Sequence, residues 1–255
     1  MNSITDHPFL VFVISFVVLW LSTQLGAGVL KRWRKLEQDA HEDFNVILAA
    51  TLTLLGLIIG FSFSMATSRY DQRKNLEEEE ANAIGTEYVR ADLLPAADAV
   101  KVRALLKNYV DQRVLFYTVR DEQQLRQIDI RTAQLQADLW SAVLAPAAAQ
   151  PTPVVALAVS GMNDVLNSQG YTQAAWWNRI PTAAWGLMGA IAICSNLLLG
   201  YGGRSTKSGR VLHLVLPLVV SISFFLIADI DSPRRGAILL NPQNLVSLAE
   251  SLRPR

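Results

Sequence analysis

The stretch GLIIGFSFSMATSRYDQRKNLEEEE, residues 56–80, decides the fold, because it begins as an apolar run and ends in four consecutive glutamates. The apolar part belongs to a run from Phe44 to Ala66, which is long enough to cross a hydrocarbon core of roughly 30 Å as a helix. No proline or glycine-rich turn falls between Phe61 and Glu80. We therefore expect one helix that leaves the membrane without a break.

Three other apolar runs have similar length, at residues 9–30, 182–199 and 211–230. The 255-residue chain is 51% hydrophobic, which is high for a soluble protein of this length. The residues before the first run contain no Lys or Arg, so we expect a retained membrane helix and not a cleaved signal peptide. The sequence predicts an all-α integral membrane protein with four transmembrane helices and a helical bundle between the second and the third.

The charged segment between the second and third runs has helical periodicity. Apolar residues such as Val102, Leu106 and Tyr109 recur at three- and four-residue steps. Pro95 and the pair Pro151/Pro153 punctuate this segment, which predicts four helices, at about 67–93, 97–119, 122–145 and 152–169. The first of them continues the second membrane helix. The predicted organisation is an N-terminal transmembrane hairpin (1–66), an extramembrane helical domain (67–181), a C-terminal transmembrane hairpin (182–230) and a C-terminal tail (231–255).

Two ridges of side chains run along the second membrane helix. Gly56, Gly60 and Ser64 are four residues apart, which suits close helix packing, although the neighbouring hydroxyls could instead border water. An apolar ridge contains Ile59 and Phe63, which would face lipid in a single helix. If several copies surround an axis, that ridge forms hydrophobic rings that can close a pore by dewetting. The candidate pore-lining residues are Ile59, Phe63 and Thr67, and the candidate helix-packing residues are Gly56, Gly60 and Ser64.

Basic residues follow the apolar run within two helical turns, and they favour anions at a pore mouth. They are Arg69, Arg73 and Lys74. Successive residues step about 100° around a helix, so the four glutamates do not form a carboxylate cage. Glu77 and Glu78 are expected to be solvated, in four-residue ion pairs with Arg73 and Lys74.

Glu80 differs from its neighbours because it lies one helical turn from both Leu76 and Ile84, on an apolar stripe. A carboxylate there needs a partner. We favour a structural pair with an arginine such as Arg90 or Arg113, while a vestibule lining or a cation site remain alternatives. The candidate pore-mouth charges are Arg69, Arg73, Lys74 and Glu80.

Several classes of function are disfavoured. The net charge is +1, which does not suggest a nucleic-acid partner, and Cys194 is the only cysteine. The three histidines lack metal-ligand spacing, and nucleophile-elbow, phosphate-loop and zinc-protease motifs are absent. We therefore expect no enzyme, no catalytic residues, no cofactor and no metal site.

The helix exit GFSFSMATSRYDQRKNLEEEEANAIGTEYVRADLLP, residues 60–95, resembles bacterial bestrophin-like domain proteins, with EEEANAIGTEY as its most specific part. More distantly, FSFSMATSRYDQRKN is similar to the segment of bestrophins in which the pore helix continues into a cytoplasmic helix. Bestrophins are pentameric anion or cation channels with an apolar neck, so the resemblance implies neck positions at Ile59 and Phe63. The chain departs from the bestrophin pattern in two ways. Of the aromatic residues that usually follow the arginine, only Tyr70 is present after Arg69, and no calcium-binding acidic cluster occurs in the C-terminal tail.

Basic residues flank the membrane runs almost equally on both sides, with a slight excess in the short loops that would send the helical domain outward. The resemblance implies a bacterial inner membrane with a cytoplasmic helical domain, and we adopt that orientation. The expected function is a homo-oligomeric, anion-leaning ion channel with the second membrane helix lining the pore. Its partners are the lipid bilayer and small inorganic ions. The alternative is a non-conducting membrane sensor or scaffold whose helical domain docks a partner.

Overall fold

The computed structural model describes residues 4–30, 41–202 and 207–253, and within these ranges every regular element is helical. This confirms the predicted all-α fold. The α-helices are α1 (Pro8–Leu25), α2 (His41–Arg90), α3 (Ala96–Thr118), α4 (Glu122–Ala149), α5 (Pro153–Trp177), α6 (Thr182–Gly202), α7 (Lys207–Asp231) and α8 (Gln243–Ser251).

Four helical stretches are long and apolar enough to cross a membrane, and each contains an 18-residue segment with a mean hydropathy between 1.6 and 2.4. They are Pro8–Gly28, Glu42–Leu93, Pro153–Gly202 and His213–Asp231. Each coincides with all or most of one of the four apolar runs of the sequence, so the prediction of four transmembrane helices is confirmed. The charged residues of α2 after Ala66 and the whole of α5 lie outside those runs.

Helix α2 is 50 residues long and has no break, as its sequence predicts. The helix ends shortly before Pro95. A 3-10 turn at Ala91–Leu93 is followed by Leu94 in an extended conformation (φ −92°, ψ 161°). Leu94 precedes Pro95, and a residue before proline is disfavoured in the helical region.

The chain forms two compact units, which we call the membrane unit (residues 1–69 and 179–239) and the helical unit (residues 70–178 and 240–255). In the membrane unit, α1 packs on both α6 and α7. The α1–α6 contact is backbone to backbone, because a Cβ on Gly200 would lie 2.0 Å from the carbonyl oxygen of Thr23. The Thr23 hydroxyl also contacts Asn196 Oδ1 at 3.2 Å, as expected of polar side chains between membrane helices.

In the helical unit, α3, α4, α5 and α8 enclose an apolar core together with the second half of α2. Helix α4 begins at the N-cap Asp121, which accepts the N–H groups of Gln123 and Gln124, and α5 begins at the N-cap Thr152. Both helices extend beyond their predicted ends, because buried residues such as Pro146 and Trp176 continue their packed faces. Part of the predicted C-terminal tail is α8, which belongs to this unit. Fully buried core residues are Val102, Leu106, Tyr109, Leu139, Val143, Met162 and Val165.

Candidate functional site

The membrane part of α2 has one buried side and one open side. Leu55, Ser62 and Ala66 are at most 5% exposed. On the open side, apart from the adjacent residues and the nearby backbone of α2 itself, no atom of the described residues lies within 4 Å of the Cβ positions that Gly56 and Gly60 would have. This face is therefore not covered by the part of the chain that the structure describes.

The predicted pore-lining and helix-packing residues lie on or beside the open side. Phe63 is 42% exposed, and Ser64 is exposed. Ile59 and Thr67 are half-buried, and the Thr67 hydroxyl donates to the Phe63 carbonyl at 3.0 Å. The hydroxyl is thus satisfied by its own helix. Pore lining and packing through this face both require another chain, so both assignments stay predictions.

The predicted pore-mouth cations have different environments. Lys74 is exposed, and Arg69 is half-buried with Nη2 3.6 Å from the sulfur of Met65. Arg73 is 1% exposed and donates to the carbonyl oxygens of Ala175 and Asn178, each at 3.1 Å. These carbonyls lie at the C-terminal end of α5, where a helix leaves acceptors unsatisfied and where a positive charge is favourable. Arg73 thus stabilises the helical unit, and a role at a pore mouth stays a prediction.

Glu80 is fully buried and forms an ion pair with Arg113, which is one of the two arginines considered for it from the sequence. Its Oε2 also accepts from the Tyr117 hydroxyl at 3.3 Å and from the Thr172 hydroxyl at 3.2 Å. Burial alone would lower the pKa of Arg113, but the adjacent carboxylate raises it. The pKa of Tyr117 is raised by burial and by Glu80. The site is therefore a charged pair with neutral hydroxyl donors around the carboxylate.

The expectation that Glu77 would be solvated is wrong, because this residue is buried and only 1% exposed. Its Oε1 accepts the backbone N–H of Leu245 at 2.9 Å, and its Oε2 accepts the Asn244 side-chain amide at 2.7 Å. Both donors lie in the first turn of α8. Sequence reasoning missed this contact because the partners are more than 160 residues away and local spacing to Arg73 suggested a surface pair. Glu78 is exposed, as expected.

Glu87 was not singled out from the sequence, yet it is fully buried, and neither carboxylate oxygen has a hydrogen-bond partner among the described residues. Burial raises its pKa from 4.5 to about 8; Arg90 opposes the rise and Asp164 adds to it. Its Oε2 lies 2.1 Å from where a Cβ on Gly161 would be. The sequence does contain a signal for the burial of Glu87. It follows Glu80 by seven residues and Ile84 by three, which places it on the same buried helix face.

Among the described residues, no group of three or more His, Cys, Asp or Glu side chains could hold a metal ion. The three buried acids of α2 have other environments. Glu77 accepts hydrogen bonds from the first turn of α8, Glu80 pairs with Arg113, and Glu87 has no hydrogen-bond donor among the described residues. The open face of α2 in the membrane unit is thus the candidate functional surface.

The Bestrophin-like domain family matches residues 10–245 of this chain. The fold is similar to crystal structures of a bacterial bestrophin homologue from Klebsiella pneumoniae. A structure with one substitution has a TM-score of 0.68 and 14% sequence identity, covering 94% of this chain and 97% of that one. A structure phased with zinc has a TM-score of 0.67 and 13% identity, covering 94% and 96%. No match to this chain is found among curated proteins.

Proposed function

The chain belongs to the Bestrophin-like domain family, and from that premise we propose that it forms a homo-oligomeric ion channel whose pore is lined by α2. The observation that supports this most is the open face of the membrane part of α2. A scaffold or sensor that functions as a single chain would pack Gly56, Gly60 and Ser64 against its own helices. In this chain the space at both glycines is open.

The two ridges of α2 have an arrangement that suits a ring of helices. The ridge Ile59–Phe63–Thr67 and the ridge Gly56–Gly60–Ser64 are offset by roughly 60° around the helix, from the step of about 100° per residue. In a ring, the face directed at the axis lies beside the face that contacts the next helix. The apolar ridge would then form the neck of the pore, and the small residues would allow close packing between subunits.

The proposal extends to ions, assembly and location. Lys74 is exposed and Arg69 is half-buried just after the membrane run, and positive charge there would attract anions. By similarity to bestrophins, the assembly would be a pentamer in a bacterial inner membrane with the helical unit in the cytoplasm. The permeating species would be small inorganic ions, with a preference for anions.

The test is single-channel recording of the purified protein in planar bilayers under asymmetric chloride. Phe63→Ala removes the largest side chain of the apolar ridge, so the unitary conductance should rise. Phe61→Ala is the matched control, since Phe61 is 62% exposed and lies roughly 200° around the helix from Phe63. Its conductance should equal that of the wild type, and the sign of the reversal potential should report the anion preference.

Two results would contradict the proposal. Equal effects of the two substitutions would place the pore elsewhere than on the Phe63 face. Silence at every voltage and pH, from protein shown to be folded and oligomeric, would favour the non-conducting sensor or scaffold.

A further inference from the structure

The buried face of the second half of α2 carries three acidic side chains, and one of them lacks a hydrogen-bond donor among the described residues. Glu77 accepts from the first turn of α8, and Glu80 pairs with Arg113. Glu87 lies seven residues after Glu80 and is fully buried, and neither of its oxygens has a hydrogen-bond partner in the part of the chain that the structure describes. The charge of Glu87 is therefore the least compensated on this face.

Glu87 packs against α5 at a glycine. Its Oε2 lies 2.1 Å from the position that a Cβ on Gly161 would have, so the carboxyl group occupies space that any other residue would fill. The same face of α5 continues through Ala158, Met162 and Val165, which are fully buried. These side chains offer no donor, and both carboxyl oxygens are inaccessible to solvent. The contact is suited to a neutral carboxyl group.

The charged groups near Glu87 belong to α2, α5, α3 and the turn after α2. Arg90, in the last turn of α2, has its Nη1 2.7 Å from the same Cβ position, yet it does not donate to Glu87. Asp164 of α5 is exposed, and Asp92 of the turn is paired with Arg103 of α3 at 2.6 Å. Burial raises the pKa of Glu87, Arg90 opposes the rise and Asp164 adds to it. Arg90 is thus the cation placed to answer a negative charge on Glu87.

We propose that Glu87 and Arg90 form a pH-operated switch, in which release of the Glu87 proton to solvent draws Arg90 into an ion pair and moves α5 away from the end of α2. An ionised carboxylate needs donors, and a three-residue spacing on one helix allows an ion pair. The charged pair also needs water, for which the contact at Gly161 has no space. The neutral state is therefore closed at this contact, and the ionised state is open.

The switch operates within the helical unit and can be tested without measuring current. Glu87 lies on the same unbroken helix as the proposed pore face. A conductance that depends on pH would be a consequence of the switch, and that consequence alone rests on the proposed channel function. A protein that does not conduct could still contain the switch, so the failure of one proposal is distinguishable from the failure of the other.

Infrared spectroscopy of the full-length protein in detergent tests the protonation step. The wild type should show the carbonyl band of a buried protonated carboxylic acid at neutral pH, and this band should disappear with a midpoint near pH 8. Glu87→Gln should lack the band, whereas Glu79→Gln, at an exposed position, should retain it. Arg90→Gln should raise the midpoint by about one pH unit, because a nearby positive charge favours the carboxylate. Lys101→Gln removes the same charge from an exposed position and should leave the midpoint unchanged.

Hydrogen exchange followed by mass spectrometry tests the movement. After correction for the intrinsic dependence of exchange on pH, residues 86–94 and 153–165 of the wild type should exchange at least tenfold faster above the midpoint than below it. Glu87→Gln should keep the protection of the closed state at every pH, because its amide cannot ionise. Glu79→Gln should follow the wild type. Elution volume and circular dichroism would show that each variant is folded.

Three results would overturn the proposal. Absence of the carboxylic acid band at neutral pH would show that Glu87 is already ionised in the folded chain. A midpoint that is unchanged in folded Arg90→Gln would remove the arginine from the switch. Loss of the band without faster exchange in either segment would show that the proton leaves with α5 still in place.

Discussion

Glu80 and Glu87 lie on the same face of α2, seven residues apart, and both are fully buried. Glu80 is matched by a buried arginine and two hydroxyl groups, whereas Glu87 has no hydrogen-bond donor among the described residues. An unpaired buried carboxylate is disfavoured in its charged form, so Glu87 keeps a proton to a much higher pH. The same residue type therefore serves as an ion-pair partner at one position and as a neutral acid at the other.

The raised pKa of Glu87 predicts a pH-dependent stability. The folded chain retains the proton up to about pH 8, whereas the unfolded chain releases it near 4.5. Folding is therefore linked to proton uptake, and the Glu87 contribution to the free energy of unfolding decreases as pH rises through that window. Glu87→Gln cannot ionise, so its advantage over the wild type should grow from pH 5 to pH 8, measured by thermal unfolding.

Exposed Glu79 supplies the control for this experiment. Glu79→Gln should follow the wild-type dependence on pH. A Glu87→Gln variant whose melting temperature stays parallel to that of the wild type would show that Glu87 is ionised throughout the folded state.

Two glycines of α5 should respond oppositely to the same substitution. Gly161→Ala places a Cβ 2.1 Å from Glu87 Oε2 and 2.7 Å from Arg90 Nη1, so it should destabilise the chain by about 1–3 kcal/mol through overpacking. Gly170→Ala meets no described atom within 4 Å and should stabilise the helix by about 0.5–1 kcal/mol. Chemical denaturation measures both. A loss at Gly170 or a gain at Gly161 would contradict the packing described here.

At the scale of elements, the short helix α8 depends on a residue of α2. Its N-cap is Pro242, which makes no side-chain hydrogen bond to the helix. Glu77 supplies the missing acceptor for the Leu245 N–H, and its negative charge is favourable at a helix N-terminus. Leu245 is fully buried, and Leu248 lies 3.3 Å from the Cβ position of Gly85. Glycine at position 85 thus leaves room for α8.

Glu77→Ala should loosen α8 without unfolding the rest of the helical unit. It removes the acceptor of a buried N–H, a hydrogen bond to a charged group worth about 1.5–3 kcal/mol. Hydrogen exchange followed by mass spectrometry should show faster exchange in residues 243–251 and little change in α3 and α4. Glu78→Ala, at an exposed position, is the control. Unchanged protection of α8 would mean that its apolar contacts hold it alone.

At the scale of the whole molecule, the proposed channel exists only as an assembly. The membrane run of α2 has the highest mean hydropathy of the four, 2.4, yet only 11% of it is buried within the single chain. Lipid could cover such a face, but the open glycine positions also allow another helix to approach closely. The proposed pore and the proposed subunit contact use adjacent ridges of this one helix.

Gly60→Phe tests the assembly directly. Because no described atom outside the neighbouring turns of α2 lies within 4 Å of the Gly60 Cβ position, the single chain should tolerate the larger side chain. A close contact between subunits should not, and the oligomer should dissociate, as measured by light scattering in detergent. Met65→Phe, on a different side of α2 and 39% exposed, should leave the oligomer intact. An unchanged mass for Gly60→Phe would exclude Gly60 from the subunit contact.

The amino-acid sequence alone determined the parts of this protein that depend on local physics. Apolar length predicts the four membrane helices, the absence of breakers predicts the unbroken α2, and Pro95 predicts where that helix ends. The apolar stripe around Glu80 also indicated that this residue needs a partner, and Arg113 was one of two candidates. Each of these inferences uses residues within a few helical turns.

The tertiary structure decided the environment of each charge. Glu77 and Glu78 are adjacent in the sequence, but a step of about 100° turns one towards α8 and leaves the other in solvent. Glu87 is buried against Gly161, 74 positions further along the chain, and no local pattern predicts that contact. Burial and partners depend on which distant helices pack together, and the same local charge pattern is compatible with a solvated surface, an ion pair or a neutral acid.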